Sequence, residues 1–177
     1  MGLPSGVQWA SCNIGAEKPS DPGLYFSWGN TEGHAENSGY NFSQDVYDQT
    51  TGAEIETDLP LEHDAARTNL GEPWRIPSEA EFLELIDNCT YVWSTLNGMN
   101  GYLFTSNVNG NTLFLPAAGD YDRLSIKNLG TSGFYWSSTY VSATAARKLG
   151  FNSSSVGPLS NSDRRYGFPI RAVVQLS

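Results

Sequence analysis

Cysteine is nearly missing: Cys12 and Cys89 are the only two in 177 residues. Two are too few for a disulfide framework, and their spacing is not that of metal ligands. They are read either as one bridge, in an exported protein, or as two buried thiols that behave as small hydrophobes. Histidine is equally scarce, with His34 and His63 alone. His63 adjoins Asp64, so on a helix the two side chains point apart. No base–orienter pair and no activated Cys–His arrangement can be built from these residues. Walker, Rossmann and zinc-protease spacings do not occur. No run approaches about 18 apolar residues, which excludes a membrane-spanning helix. The opening MGLPSGVQWA has neither a basic n-region nor an apolar h-region. The chain is therefore read either as carrying no secretion signal or as beginning at a mature start.

Charge is sparse as well, at 16% of residues, and of one predominant sign, with a net value of −9. It is also uneven. Residues 1–90 hold sixteen acids against Lys18, Arg67 and Arg75, a balance of −13, while residues 91–177 hold Asp120, Asp122 and Asp163 against seven cations, a balance of +4. A molecule of this overall sign repels phosphate backbones, so nucleic acid is not an expected partner. Arg147, Lys148, Arg164 and Arg165 cluster late in the chain. They read either as ordinary surface solvation or as room for an anionic partner.

What is present belongs to a folded domain: 39% hydrophobic residues, 12% aromatic, 18 Gly and 9 Pro. The length fits one domain, residues 1–177, with a core that needs no staples. Val7–Gly15 and Gly23–Asn30 read as strands. Thr31–Pro60 is polar and acidic, a long loop with Tyr40, Phe42, Val46 and Tyr47 as anchors. Leu61–Gly71 reads as a short helix closed by Gly71. A stronger helix follows, where Ser78 and Glu81 form a capping box and Phe82, Leu85, Ile86 and Cys89 make one apolar face. Glu79, Glu81 and Glu84 crowd its first turns, where the helix dipole favours anions. After Thr90 the pattern becomes β-rich. Asn-Gly at 97–98, 100–101 and 109–110 signals hairpin turns, and Gly133–Thr139, Ala146–Ser153 and Tyr166–Val174 read as strands. Strand, helices, then a run of strands predicts α+β in one domain.

Catalytic chemistry finds little support. The carboxylate pairs Glu54/Glu56 and Glu79/Glu81 read as solvated faces and dipole partners. Gly119–Ser125, GDYDRLS, lacks the later bidentate Glu of a calcium loop and reads as a turn. No catalytic residue, metal ligand or cofactor site is assigned. The C-terminal third stands apart. Leu149 and Phe151 alternate inward, as do Ile170 and Ala172 or Arg171 and Val173, depending on register. Positions 139–148 and 152–165 between these anchors are small or polar, and read as two loops longer than hairpin connections. Long loops on a rigid scaffold are where recognition tends to reside.

The segments GLPSGVQWASCNIGA, YFSWGN, DAARTNLGEPWRIPSEAEFLELIDNC, NGYLF, LFLPAAG, GFYWSS, LGFNSSSV and RRYGFPIRAV together resemble the major paralogous domain of bacterial surface proteins. That domain has a C-type lectin-like fold related to formylglycine-generating enzymes. The resemblance runs from about Leu3 to Val174. It implies a mixed, largely antiparallel sheet core with two helices and long loops, chain ends brought together by the first and last strands, and a C-terminal ligand face. Within the superfamily the chain is most similar to the variable proteins of diversity-generating retroelements, in which adenine mutagenesis rewrites surface positions on a fixed scaffold. The variable region would span about 136–171. Scaffold positions implied by this resemblance are Trp136, Ser137, Leu149, Phe151, Asn152, Arg164, Tyr166, Gly167, Ile170 and Arg171. Ligand contacts would come from Tyr140, Ser142, Thr144, Arg147, Gly150, Ser153, Ser155, Gly157, Leu159, Asn161, Asp163 and Arg165. Lys148 departs from the pattern, because adenine changes in an Asn codon do not reach Lys while its third base stays a pyrimidine.

The implied function is non-enzymatic binding of a protein or glycan ligand on a cell or phage-target surface. The protein would act at a cell surface, outside the cell or on a phage particle. A fixed adhesin or carbohydrate-binding lipoprotein domain of the same fold is the alternative. The enzyme branch fails on residues: formylglycine-generating enzymes rely on reactive cysteines in the C-terminal part, and no cysteine follows Cys89. The Glu-Pro-Asn and Trp-Asn-Asp calcium motifs of animal C-type lectins are missing too, so calcium-dependent sugar binding does not follow from the fold name.

Overall fold

The two ends of the chain meet. Strand β1 (Val7–Trp9) runs antiparallel to β11 (Val173–Gln175), with Val7 opposite Gln175 and Trp9 opposite Val173. The computed structural model describes residues 1–45 and 55–176. Val46 and Tyr47, expected as loop anchors, and Glu54, expected in a carboxylate pair, lie outside the described residues.

Between the ends come helices α1 (Ala65–Leu70) and α2 (Glu79–Asp87). A three-stranded sheet follows, in the order β2 (Cys89–Leu96), β3 (Met99–Ser106), β4 (Thr112–Pro116). Then come the hairpin β5 (Asp120–Asp122) and β6 (Ser125–Lys127), and a sheet in the order β10 (Ser160–Asp163), β8 (Ala145–Asn152), β7 (Ser132–Ser142). The short β9 (Ser155–Val156) also pairs with β8. Every named strand pair is antiparallel, and one isolated bridge, Gly119 to Gly133, is parallel. With two helices this is an α+β architecture dominated by antiparallel sheet. Among the described residues no helix is long and apolar enough to cross a membrane.

Several expected elements take another form. Gly23–Asn30 is not a strand: Tyr25 bridges His34 and Phe26 bridges Phe168 singly, and both rings are buried. The helix expected over 61–71 is broken at Asp64. A single 3-10 turn (Leu61–His63) precedes it, and α1 begins after it. Asp64 is buried and its carboxylate accepts from the amides of Ala66, Arg67 and Ile76 at 2.9, 3.2 and 2.9 Å. Capping from that position requires an extended backbone, so the helix cannot run through it. Asn97-Gly98 makes the β2–β3 turn with φ values of 50° and 83°, as a two-residue hairpin needs. Asn100-Gly101, in contrast, lies inside β3. A Cβ on Gly101 would sit 2.3 Å from the Leu115 carbonyl oxygen, so this glycine serves close strand approach. Tyr166–Val174 is strand only at its end. Cys89 lies past α2 and opens β2, yet it is buried in the same cluster as Phe82 and Leu85. Both cysteines are free thiols.

Helix α2 starts as its sequence dictates. The Ser78 hydroxyl accepts from the Glu81 amide, and the Glu81 carboxylate accepts from the Ser78 amide at 2.9 Å. That carboxylate also takes both terminal nitrogens of Arg75, at 2.8 and 2.5 Å. Burial alone would raise the Glu81 pKa, but the Arg75 and Ser78 bonds outweigh it and hold the carboxyl below its ordinary value. A depressed carboxylate stabilises the fold above the unfolded-state pKa, and that contribution disappears as pH falls through the folded-state pKa. Glu81→Gln should therefore lower stability at neutral pH and flatten the acid limb below about pH 4.5. Urea unfolding across that range checks it.

The core has two main parts, one on each face of β7–β8. Tyr135, Leu149 and Phe151 face α2 and the β2–β4 sheet, while Trp136 and Ala146 face Phe26, Trp28, Phe168 and Ile170. Between the N-terminal segment, β4 and the chain end lies Arg171, with no exposed surface. Its Nε donates to Asn13 Oδ1 at 2.9 Å, Nη1 to the Ala10 carbonyl at 3.3 Å and Nη2 to the Phe114 carbonyl at 2.9 Å. Burial pulls its pKa below the ordinary guanidinium value, and Tyr135 opposes the shift. An ammonium cannot reproduce this planar fork. Arg171→Lys should cost about 3 kcal/mol, read from the urea midpoint at unchanged slope.

Candidate ligand-binding face

Of the two long loops expected, 139–148 is mostly sheet, while 152–165 is about half sheet, with turns at 153–154 and 164–165 and an irregular stretch at 157–159. β7 continues to Ser142, turns at Ala143–Thr144, and returns as β8. The small and polar residues that suggested loops still adopt extended backbone, because the neighbouring strands supply their hydrogen bonds. Side chains make the turns. Ser142 Oγ accepts from the amides of Thr144 and Ala145 at 3.3 and 3.1 Å. Asn152 Oδ1 accepts from those of Ser154 and Ser155 at 2.9 and 3.2 Å. Asn152 is thus an exposed turn-maker, in contrast to the buried scaffold position next to it, Phe151.

The frame of this face is buried. Trp136, Ser137, Leu149, Phe151, Arg164, Gly167, Ile170 and Arg171 are all inaccessible or nearly so, and Tyr166 is half-buried. Arg164 ties the frame to the rest of the domain. Its Nη2 donates to the carbonyls of Ile55 and Ser142 at 2.9 and 2.5 Å, and its guanidinium lies 4.4 Å above Trp28 and 5.4 Å from the Tyr140 ring. The indole of Trp28 donates to the Ser137 carbonyl and that of Trp136 to the Phe26 carbonyl, each at 2.7 Å.

None of the positions expected to contact ligand is buried. Thr144, Ser153, Ser155, Asn161 and Arg165 are exposed, and Tyr140, Ser142, Arg147, Gly150, Gly157, Leu159 and Asp163 are partly so. Direct contacts join them in small groups. Arg147 and Asn161 are cross-strand partners, bonded at 2.5 Å, and Arg147 also reaches Glu79 at the start of α2 at 3.2 Å. Asp163 pairs with Arg165 at 3.1 Å. The Gly157 amide donates to the Gly150 carbonyl at 2.9 Å. Leu159 packs against the cluster of Leu149 and Phe151, and Tyr140 against that of Trp136. Ser153 and Ser155 stand at the β8–β9 turn.

Two clefts open beside this sheet and share Tyr166 as a wall. The larger, about 320 Å³, is lined by residues that include Phe42, Arg123, Asp163 and Arg165. The smaller, about 170 Å³, takes Asp120, Phe134, Lys148, Ser162 and Phe168. Reasoning from the sequence missed this second group, except that Lys148 stood out as a departure. Strand alternation explains why. Lys148 lies opposite Trp136 and Ser160, on the face away from Arg147. His34, weighed as a catalytic residue, stacks on Tyr40 with ring centroids 3.5 Å apart. Among the described residues no group of three or more His, Cys, Asp or Glu could hold a metal ion.

Comparison with protein-family models, with curated proteins and with solved structures finds no match.

Frame and surface should separate in stability measurements. Arg147→Ala, Ser155→Ala and Asn161→Ala should each shift unfolding by less than about 1 kcal/mol. Leu149→Ala and Trp136→Ala should each cost about 3 kcal/mol or more. Urea titration of the single variants provides the comparison.

Proposed function

We propose that this protein is a non-enzymatic binding protein that displays a diversifiable surface on its C-terminal sheet. The observation that carries this reading is the partition along β7, β8 and β10. Buried frame residues alternate with side chains that keep access to solvent and bond mainly within their own groups. Apart from Tyr140 and Leu159, which rest on buried clusters, such positions can change without disturbing the core, which is what a display surface requires. In this reading the domain would be C-type lectin-like, of the kind used by retroelement variable proteins; paired chain ends, two helices and an antiparallel sheet core support it. The ligand would be a protein or glycan on a cell or phage-target surface, met from a cell surface or a phage particle. Tyr140, Arg147, Leu159 and Arg165 would carry most of the binding energy, because aromatic, Arg and well-packed apolar residues dominate interfaces. The small residues between them would set shape and exclude water.

Replacing the side chains at Arg147, Ser153, Ser155, Asn161 and Arg165 together by another set should change the partner while melting moves by only about 5 °C. Calorimetry with partner capture reads both. Unfolding of the swapped protein would mean these residues belong to the core and would sink the proposal. The encoding DNA offers a separate check: a near-repeat of the 3′ end differing at adenines, beside a reverse transcriptase. Its absence would favour a fixed adhesin of the same fold.

A further inference from the structure

The smaller cleft has its own chemistry, and none of its residues is among the display positions. Its wall is aromatic: Phe134 and Phe168 stack at 5.5 Å, and Tyr166 and Phe168 at 5.9 Å with planes only 2° apart. Two opposite charges border it. The Lys148 ammonium lies 4.8 Å over Phe134 and donates to Ser160 Oγ at 3.3 Å, which leaves the rest of its donor capacity unmatched among the described residues. Asp120 is buried and accepts through Oδ1 from Asn128 Nδ2 at 2.8 Å. Lys148 and Asp120 do not form a direct ion pair. Burial pushes the Asp120 carboxyl above its ordinary value and pulls the Lys148 ammonium below its own. Each charge is therefore largely desolvated, and the two attract across the cleft without touching.

We propose that this cleft is a small-molecule site for a zwitterion of the amino-acid type, its carboxylate on Lys148 and its ammonium between Asp120 and the aromatic wall. A lone anion would meet Lys148 but be repelled by Asp120, and a lone cation would suffer the reverse. A zwitterion satisfies both and gains cation–π attraction from the rings. A volume of about 170 Å³ lies below that of drug-sized pockets and suits a single small metabolite. The site is separate from the display surface and stands or falls without it.

The test is titration with L-leucine, isocaproate, isoamylamine and glucose, followed by amide NMR. L-leucine should saturably shift Phe134, Lys148, Tyr166 and Phe168, and bind at least about tenfold more tightly than either singly charged analogue. Lys148→Met and Asp120→Asn should each weaken it by a similar factor, with spectral dispersion showing that the variants fold. If a variant does not fold, the ranking of the analogues on the wild-type protein decides. No saturable shift at about 10 mM L-leucine overturns the proposal. So does equal binding of glucose or of a singly charged analogue, or leucine binding that survives both substitutions.

Discussion

A guanidinium sealed away from water sets the terms for this fold. Arg171 has no exposed surface and is bound by Asn13 and by the carbonyls of Ala10 and Phe114. Leaving any of its donors unmet in the interior would cost far more than the bond itself returns. The N-terminal segment, β4 and the end of the chain must therefore arrive together. Neighbouring contacts depend on that arrival. Asn13 also donates to the Tyr135 hydroxyl at 3.1 Å, and Tyr135 donates to the Pro116 carbonyl at 2.8 Å. The network thus reaches β7 from below, and burial pushes the Tyr135 phenol up to about 12, so it stays a neutral donor in the core.

The β7–β8 hairpin is consequently clamped on both faces. Adjacent residues Tyr135 and Trp136 go to opposite cores, and Leu149, Phe151 and Ala146 do the same one strand over. A hairpin held this way does not need its remaining side chains for stability. That freedom explains how Arg147 and Ser153 keep access to solvent beside buried Leu149 and Phe151. Arg164 extends the same logic to the far end of β10, where carbonyls and two aromatic rings hold it.

Local signals were legible wherever the chemistry is local. The Ser78–Glu81 capping box, the Asn97-Gly98 turn and the inward alternation of Leu149 and Phe151 all follow from residues within a few positions of one another. The sequence misled where a distant partner decides. Asp64 caps α1 through the Ala66 and Arg67 amides and is buried there with the Ile76 amide as a third donor, a role only this distant contact reveals. Asn100-Gly101 looks like a turn but lies within a strand because β4 passes too close for a side chain. The stretches at 139–148 and 152–165 lack strand-like composition, and only the pairing of β8 with β7, β9 and β10 makes parts of them sheet. The aromatic cleft was hidden for a related reason. Phe134, Phe168 and Lys148 come from separate segments, and only Lys148 gave any signal, as an exception to a pattern.

The pairing of β1 with β11 has a mechanical side. Val7 lies opposite Gln175, so the chain enters β1 and leaves β11 at the same end of that two-stranded ladder. Tension applied between Val7 and Gln175 would not load the ladder in shear. It would peel the hydrogen bonds apart in succession, starting at Val7 and Gln175, because antiparallel ladder bonds lie across the strands.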